Sequence, residues 1–185
     1  TLLYHVRMSM PTIKQRMLAG DVLRVMSMGP LASPKLIEIV GSMQAIDGLW
    51  SDQEHSGIGH RELETLLTAC RAVRLEAFVR VAPTDYGTVM RPYEAGAAGV
   101  MIAQVRTVED AKQAVAWSLY PPLGVRGLFM GNFEADFGAR DQADVVDQFN
   151  RDRWLIIQIE TAEAVECVDA IAALPGVDTL FVGPG

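Results

Sequence analysis

An amide and a carboxylate end the apolar segment WLIIQIE, which runs from Trp154 to Glu160. An apolar run of this length predicts a buried strand of a parallel sheet, because such strands are covered on both faces. Parallel α/β proteins carry their catalytic groups at the carboxyl ends of their strands. Gln158 and Glu160 lie at that end of the predicted strand. Glu160 is therefore the leading candidate for chemistry.

The sequence allows two roles for the Glu160 carboxylate. At the mouth of a barrel it would bind a hard divalent cation, because such cations prefer oxygen ligands. Alternatively, it would lie at the N-terminus of the helix that is predicted to begin near Ala162, where the helix dipole stabilises a negative charge. One carboxylate alone does not make a metal site.

Two further segments offer groups for acid–base and anion chemistry. The loop DQEHSGIG places His55 beside Asp52 and Glu54, and a histidine oriented by a carboxylate can act as a general base. A solvated polar loop is the alternative. Arg80 is the only charge in AFVRVA, and a buried guanidinium needs an anionic partner. That partner is either a substrate oxygen or a carboxylate on a neighbouring strand.

Two glycine-containing turns are weaker candidates. Gly183, Pro184 and Gly185 follow the last apolar run, and backbone N–H groups in such a turn can hold an anion. Many strand-to-helix turns have the same composition. The segment GVRG, residues 124–127, is either structural or faces a substrate.

Strands alternate with helices along the chain, which predicts right-handed crossovers and a parallel sheet. A long excursion, residues 118–153, interrupts the alternation and contains a helical patch at 141–149. Because the polar candidates follow several different strands, a β/α barrel is favoured over a doubly wound sheet with one switch point. Strands are predicted at 22–28, 45–51, 77–82, 99–103, 154–159 and 179–182. Helices are predicted at 12–19, 34–40, 61–74, 107–117 and 162–174, and a loop and helix at 84–96.

Composition excludes several classes of function. With 185 residues, 50% hydrophobic and 21% charged, the chain is expected to fold as one globular domain. A net charge of −7 and a pI near 4.9 argue against a nucleic-acid or anionic-membrane surface. We find neither an apolar run long enough to span a membrane nor a signal peptide. Cys70 and Cys167 are expected to be reduced thiols, which favours a cytoplasmic location.

Several short motifs, in order from about Thr12 to Gly185, resemble the HpcH/HpaI family of class II, metal-dependent pyruvate aldolases. YPPLGVRG and QIET are the most specific of them. The matching segments are KQRMLAGDV, DQEH, VRV with Arg80, EAGAAGVMIAQV, YPPLGVRG, QIET and FVGPG.

The resemblance implies a TIM (β/α)8 barrel of the phosphoenolpyruvate/pyruvate type. Residues 1–185 would form a single incomplete barrel domain with about six of the eight strands. Glu160 would be one ligand of Mg²⁺, Mn²⁺ or Co²⁺, and the second ligand would be an aspartate directly after Gly185. Gln158 would lie at the rim of the metal site. The turn Gly183–Pro184–Gly185 would help to bind pyruvate, which would chelate the ion.

The resemblance also implies roles in catalysis. Arg80 would contact the keto or enolate oxygen, and His55 would be the general base, acting through a metal-bound water. The acidic group that orients His55 would come across a subunit interface, where Glu94 takes the position that is usually an aspartate. A homo-oligomer, trimer or hexamer, is therefore expected. The pattern departs from the family after Arg80, where APTDYG replaces the usual Asn-Asp-Pro.

The implied reaction is the reversible retro-aldol cleavage of a 4-hydroxy-2-oxo acid to pyruvate and an aldehyde through a metal-stabilised enolate. No Schiff-base lysine is required. Two alternatives remain open. One is an acyl-CoA lyase of the citrate lyase β or malyl-CoA lyase type, and the other is a catalytically inactive barrel remnant that acts in binding or assembly.

Overall fold

Six parallel strands form a single sheet in the computed structural model, which describes residues 11–183. The strands are β1 Val25–Ser27, β2 Gly48–Asp52, β3 Glu76–Val81, β4 Gly99–Ile102, β5 Trp154–Ile159 and β6 Thr179–Val182. Each strand pairs in parallel with the next one in the chain. This order has no switch point, which confirms the predicted barrel-type arrangement over a doubly wound sheet.

One short helix precedes the first strand, and the helices that connect the later strands pack on one face of the sheet. The helices are α1 Ile13–Leu18, α2 Pro34–Met43, α3 His60–Ala72, α4 Tyr86–Glu94, α5 Val108–Ser118, α6 Gln142–Asp152, α7 Ala162–Glu166 and α8 Val168–Ala172. The excursion after α5 adds a short 3-10 turn, Asp136–Gly138, before α6. No helix within residues 11–183 has both the length and the hydrophobicity that crossing a bilayer requires.

Successive residues of each strand pack into two different apolar layers, because side chains alternate between the faces of a strand. The outer layer, between the sheet and the helices, contains Leu155 and Ile157 of β5 together with Leu63 and Leu66 of α3. The inner layer is mostly aromatic and lies on the opposite face. Its members are Ile13, Phe78, Met101, Trp154 and Ile156, with Trp50 and Phe181 packed against them.

The short helix α1 lies across the N-terminal ends of the strands. Ile13 belongs to the inner layer, and the Lys14 ammonium contacts Asp178 at 2.8 Å and the Arg153 carbonyl at 2.9 Å. Asp178 and Arg153 directly precede β6 and β5. Since α1 covers this end, the inner face opens at the carboxyl ends of the strands.

Local capping signals explain where most helices begin. Ser33 accepts a hydrogen bond from the Leu36 N–H and precedes Pro34 at the first helical position, which is the arrangement such residues favour. Thr107 and Asp110 form a capping box at the start of α5. These confirmed starts place the loops after β1 and β4 as the sequence predicts.

Several predicted boundaries are wrong, and three of the differences are informative. The helix α2 continues past Gly41 to Met43, because Gly41 serves close packing: a Cβ there would lie 2.6 Å from Val73 Cβ. The predicted helix at 162–174 is broken into α7 and α8 at Cys167, whose ψ of 16° is not helical. The strand β1 covers three residues instead of the seven predicted at 22–28.

We expect Gly99→Ala to destabilise the sheet. A Cβ at Gly99 would lie 2.7 Å from the Trp154 carbonyl oxygen and 2.8 Å from Trp154 Cβ on the paired strand, and backbone cannot move away as a flexible side chain can. Urea denaturation should show a loss of about 1–3 kcal/mol in the free energy of unfolding, the usual cost of overpacking.

Gly57→Ala is the matched control, because no atom lies within 4 Å of a Cβ at Gly57. This variant should stay within about 0.5 kcal/mol of the wild type. Equal unfolding midpoints for the two variants would contradict the close approach of β4 and β5.

Candidate functional site

Polar side chains lie together at the carboxyl ends of four adjacent strands. Asp52 ends β2, Arg80 lies near the end of β3, Gln104 follows β4, and Gln158 and Glu160 lie at the end of β5 and just beyond it. Asp52, Arg80, Gln158 and Glu160 continue the inward-facing series of residues whose earlier members form the mostly aromatic inner layer. The polar groups thus form a rim at the open end of the sheet.

Arg80 and Asp52 form the central ion pair of this rim. They are directly opposite each other in the register of β2 and β3. Arg80 Nε donates to Asp52 Oδ1 at 3.0 Å and Nη2 donates to Oδ2 at 2.6 Å, which is the bidentate geometry that binds carboxylates most strongly. Of the two partners considered for Arg80, the structure shows the carboxylate on a neighbouring strand.

The pairing shifts the protonation of both groups. Burial by itself would raise the pKa of Asp52, but hydrogen bonds from Arg80 and from the Glu54 N–H outweigh it, so the pKa is lowered. The hydrogen bond to Asp52 raises the pKa of Arg80. Within residues 11–183 the Arg80 Nη1 group makes no hydrogen bond, which leaves one side of the guanidinium for a ligand.

Two contacts around Arg80 were not predicted. The guanidinium carbon lies 4.9 Å from the ring centroid of Trp50, within the range of cation–π attraction. The Glu54 carboxylate lies 3.2 Å from Arg80 Nε and is only 6% exposed. The register of β2 against β3 is the signal that could have revealed Trp50, since it occupies the same face as Asp52 two residues earlier.

His55 projects into solvent beside Glu54. Its side chain is 69% exposed, and its Nε2 lies 3.5 Å from Glu54 Oε2. The other Glu54 oxygen accepts a hydrogen bond from Gln104 Nε2 at 3.3 Å. The loop is therefore not simply solvated, because Glu54 is turned inward and contacts three rim residues.

Hydrogen bonds between side chains and the backbone hold this loop in place. Asp52 Oδ1 accepts from the Glu54 N–H at 3.0 Å, and the Ser56 hydroxyl donates to the Asp52 carbonyl. Gln53 Nε2 donates to the Ile58 carbonyl at 3.0 Å and so closes the far side. Asx-type turns of this kind fix the chain locally, which explains how the DQEH segment directs Glu54 towards Arg80.

Glu160 makes its contacts across the rim and not with the helix that follows it. Its Oε1 accepts from the Gln104 backbone N–H at 2.7 Å, and its Oε2 accepts from Gln158 Nε2 at 2.6 Å. The helix α7 is capped instead by Thr161, whose hydroxyl accepts from the Ala164 N–H. Glu160 therefore does not cap α7.

The donor atoms near Glu160 suit a hard cation in their chemistry. Besides the carboxylate, Gln158 offers an Oε1 atom that is buried and has no hydrogen-bond partner, and oxygen ligands are those that Mg²⁺ and similar ions prefer. No group of three or more His, Cys, Asp or Glu side chains in residues 11–183 is arranged to hold a metal ion. The residues present thus fit such an ion but supply only part of its ligands.

The predicted glycine turn is described only at its first residue. Gly183 donates its N–H to the Ile159 carbonyl at 3.1 Å. A Cβ at this position would lie 2.7 Å from Gln158 Nε2, so a larger residue would displace the amide that holds Glu160. Pro184 and Gly185, predicted to bind substrate, lie outside the described residues.

Glu94, the predicted partner of His55, lies elsewhere in the chain. It is the last residue of α4 and is half-buried. Burial raises its pKa, and the charge of Arg126 opposes the shift. Within residues 11–183 no hydrogen bond or ion pair joins Glu94 to His55, whose acidic neighbour in the same chain is Glu54.

The arginine of GVRG is structural. Arg126 is fully buried, lies 4.1 Å from the ring centroid of Phe149 and 4.6 Å from that of Tyr120, and contacts Glu134 at 3.2 Å. These contacts fix the excursion between α5 and α6 against the rest of the fold.

Lysines are also absent from the described rim: Lys14, Lys35 and Lys112 lie on α1, α2 and α5.

Comparison with known proteins assigns the chain to a family. The model of the family HpcH/HpaI aldolase/citrate lyase matches residues 24–185, and the chain therefore belongs to this family. It is 36% identical over 154 residues to 2-dehydro-3,6-dideoxy-6-sulfogluconate aldolase of Pseudomonas putida, covering 83% of this chain and 59% of the relative. It is 39% identical over 158 residues to 4-hydroxy-2-oxovalerate aldolase of Novosphingobium aromaticivorans, covering 83% of this chain and 58% of the relative.

A solved structure supports the same fold. The crystal structure of an HpcH/HpaI aldolase from Desulfitobacterium hafniense DCB-2 superposes with a TM-score of 0.87 at 29% identity, covering 95% of this chain and 67% of that one. The predicted barrel-type fold is thereby confirmed. The chain spans about three-fifths of the length of the curated relatives that it matches.

We expect Asp52→Asn to destabilise the protein by about 2–3 kcal/mol in urea denaturation. The change leaves Arg80 without its bidentate partner, and breaking one side of a buried ion pair is costly. The nearby Glu54 carboxylate, 3.2 Å from Arg80 Nε, limits the loss. As a control, Glu109→Gln removes an exposed pair with Lys112 and should change stability by less than about 0.5 kcal/mol. An unchanged free energy of unfolding for Asp52→Asn would show that the ion pair does not stabilise the fold.

Acid should remove the contribution of Asp52 to stability. Because its pKa is lower in the folded protein, this contribution is complete above the ordinary aspartate value of about 4 and is lost as the pH falls through the folded value. Asp47, held at a pKa of about 2 by the Arg24 N–H and by Arg16, acts in the same direction. Between about pH 5 and pH 2, the free energy of unfolding should therefore fall less steeply for Asp52→Asn than for the wild type. Parallel curves for the two proteins would contradict this account.

Proposed function

We propose that the protein acts as a divalent-metal-dependent aldolase that reversibly cleaves a 4-hydroxy-2-oxo acid to pyruvate and an aldehyde. The observation that carries the proposal is the combination of three groups at the rim. Arg80 offers a guanidinium with a free donor, His55 offers an exposed imidazole, and Glu160 offers a carboxylate that two hydrogen bonds hold in place. The two relatives from Pseudomonas putida and Novosphingobium aromaticivorans are both named as aldolases, which supports the same chemistry.

Glu160 would hold the metal ion, with Gln158 Oε1 available as a neighbouring oxygen donor. When bound, Mg²⁺, Mn²⁺ or Co²⁺ supplies a Lewis acid that stabilises negative charge on the keto oxygen of pyruvate. Gln158 Nε2 and the Gln104 N–H keep the two Glu160 oxygens in fixed positions. Such outer contacts orient a ligand before the ion arrives.

Arg80 would stabilise the same developing charge from the protein side. Its guanidinium is already fixed by Asp52 and by the Trp50 ring, so it needs no reorganisation when a substrate binds. Fixed positive groups directed at the position where charge develops are the strongest electrostatic contribution to catalysis. The free Nη1 group would donate to the keto or enolate oxygen. Gly183, Pro184 and Gly185 would bind the substrate carboxylate from the next turn.

His55 would be the general base that removes a proton from the methyl group of pyruvate in the condensation direction. Its exposure allows exchange of that proton with solvent, and Glu54 lies near enough to orient the ring. We further propose that the chain acts as a homo-oligomer, a trimer or hexamer, in which Glu94 from a neighbouring subunit approaches His55. A Schiff-base route is disfavoured because the three lysines lie on helices and not at the rim.

The test is release of pyruvate from a 4-hydroxy-2-oxo acid by the intact protein, with Mg²⁺, Mn²⁺ or Co²⁺ added in turn. A chelator and the Glu160→Ala substitution should each abolish turnover. Turnover that survives the chelator would contradict the proposal. Cleavage of malyl-CoA or citryl-CoA instead of the oxo acid would favour the acyl-CoA lyase alternative, and a folded protein without either activity would favour the binding role.

His55→Ala should lower kcat/KM for pyruvate release by about 10²–10⁴-fold, the usual contribution of a general base. Binding of Mn²⁺, measured by titration calorimetry, should remain within twofold of the wild type, because His55 contacts Glu54 and not Glu160. His60→Ala is the matched control, since His60 begins α3 and pairs with Glu64 on the surface. A full rate for His55→Ala, or a loss of Mn²⁺ binding, would remove the assigned role.

A further inference from the structure

Gln104 has an unusual backbone conformation for its position. Its φ is +60°, in the left-handed region that favours glycine. Gln44 and Arg74 share this conformation but lie at the ends of α2 and α3, where left-handed residues commonly terminate a helix. Gln104 follows a strand, so helix termination does not explain it. Strained residues of this kind are held in place by surrounding contacts and often occur at functional sites.

The backbone conformation aims the Gln104 N–H at Glu160. The distance from Gln104 N to Glu160 Oε1 is 2.7 Å. Gln158 Nε2 holds the other oxygen at 2.6 Å. Both oxygens of the carboxylate are therefore fixed, one by the chain that follows β4 and one by β5 itself.

The side chain of the same residue reaches the other carboxylate of the rim. Gln104 Nε2 donates to Glu54 Oε1 at 3.3 Å. Glu54 in turn contacts Arg80 at 3.2 Å and His55 at 3.5 Å. Gln104 is thus hydrogen-bonded to both Glu160 and Glu54, which belong to loops that follow different strands.

We infer that Gln104 is a positioning residue that fixes Glu160 relative to the Glu54–Arg80–His55 group, its backbone N–H holding the first and its side-chain amide the second. The inference rests on the proposed function of this rim. Glycine would adopt the same φ without strain, but it would lack the amide that contacts Glu54. The side chain, and not the backbone, is therefore what distinguishes glutamine from glycine at this position.

Two substitutions separate strain from positioning. Gln104→Gly should keep the N–H contact to Glu160 and relieve the strain, so its melting temperature should equal the wild-type value or exceed it by about 2–4 °C. Gln104→Ala should keep the strain and melt no higher than the wild type. Both lack the amide, so both should lower kcat for pyruvate release about tenfold or more, with KM for the oxo acid changed less than twofold.

Two further readouts give controls. Mn²⁺ affinity of the protein without substrate should stay within twofold for Gln104→Gly, because the backbone contact to Glu160 remains. Gln113→Ala removes an exposed glutamine of α5 and should leave kcat, KM and the melting temperature unchanged. A wild-type kcat in Gln104→Gly would overturn the inference. A fall in melting temperature with no change in kcat in Gln104→Ala would assign the side chain a purely structural role and overturn it as well.

Failure of the proposed function can be told apart from failure of the inference. If the wild-type protein releases no pyruvate when Mg²⁺, Mn²⁺ or Co²⁺ is added, the proposed function fails. The inference is then decided by the melting temperatures of Gln104→Gly, Glu54→Gln and the double variant. Shifts that do not add would support the coupling between the two side chains, since residues in direct contact are non-additive. Additive shifts would overturn it.

Discussion

The guanidinium of Arg80 cannot be buried at the end of β3 without an anion beside it, and the parallel register of β2 against β3 places Asp52 there. The position of the loop after β2 depends on this pair. Asp52 also accepts the Glu54 N–H and so turns the following loop inward, which brings a second carboxylate to Arg80 and places His55 at the edge. Because Arg80 is held by these protein groups, its remaining donor has a fixed orientation.

Much of the fold could be predicted because its signals are local and strong. An apolar run such as Trp154–Ile159 has few alternatives to a buried strand, and caps such as Ser33 and Thr107 mark helix starts directly. The errors arose where residues distant in sequence determine the boundary of a helix or strand. The sequence predicts that α2 ends at residue 40, but Val73 packs against Gly41 from the end of another helix, and only a residue without a side chain allows that approach.

The candidate site could be predicted only as a set of strand ends. That rule located Arg80, Gln158 and Glu160, because residues at the carboxyl ends of parallel strands meet at one edge. It could not show that Arg80 pairs with Asp52 or that Glu54 is buried, since both facts depend on register and on the turn of a loop. The assignment of Glu94 stays a prediction, because it concerns a contact between subunits.

The inner layer beneath the rim has an experimental use. Trp50 lies between the Arg80 guanidinium, 4.9 Å from its ring, and Phe181, 5.5 Å between centroids. Indole emission responds to nearby charge and to exclusion of water, so a ligand that reaches Arg80 would alter the emission of an indole built into the wall of the same site. Among the three tryptophans, Trp154 lies deeper in the inner layer and Trp117 lies on α5. The protein therefore carries an intrinsic optical reporter whose signal can be assigned by replacing Trp50 alone.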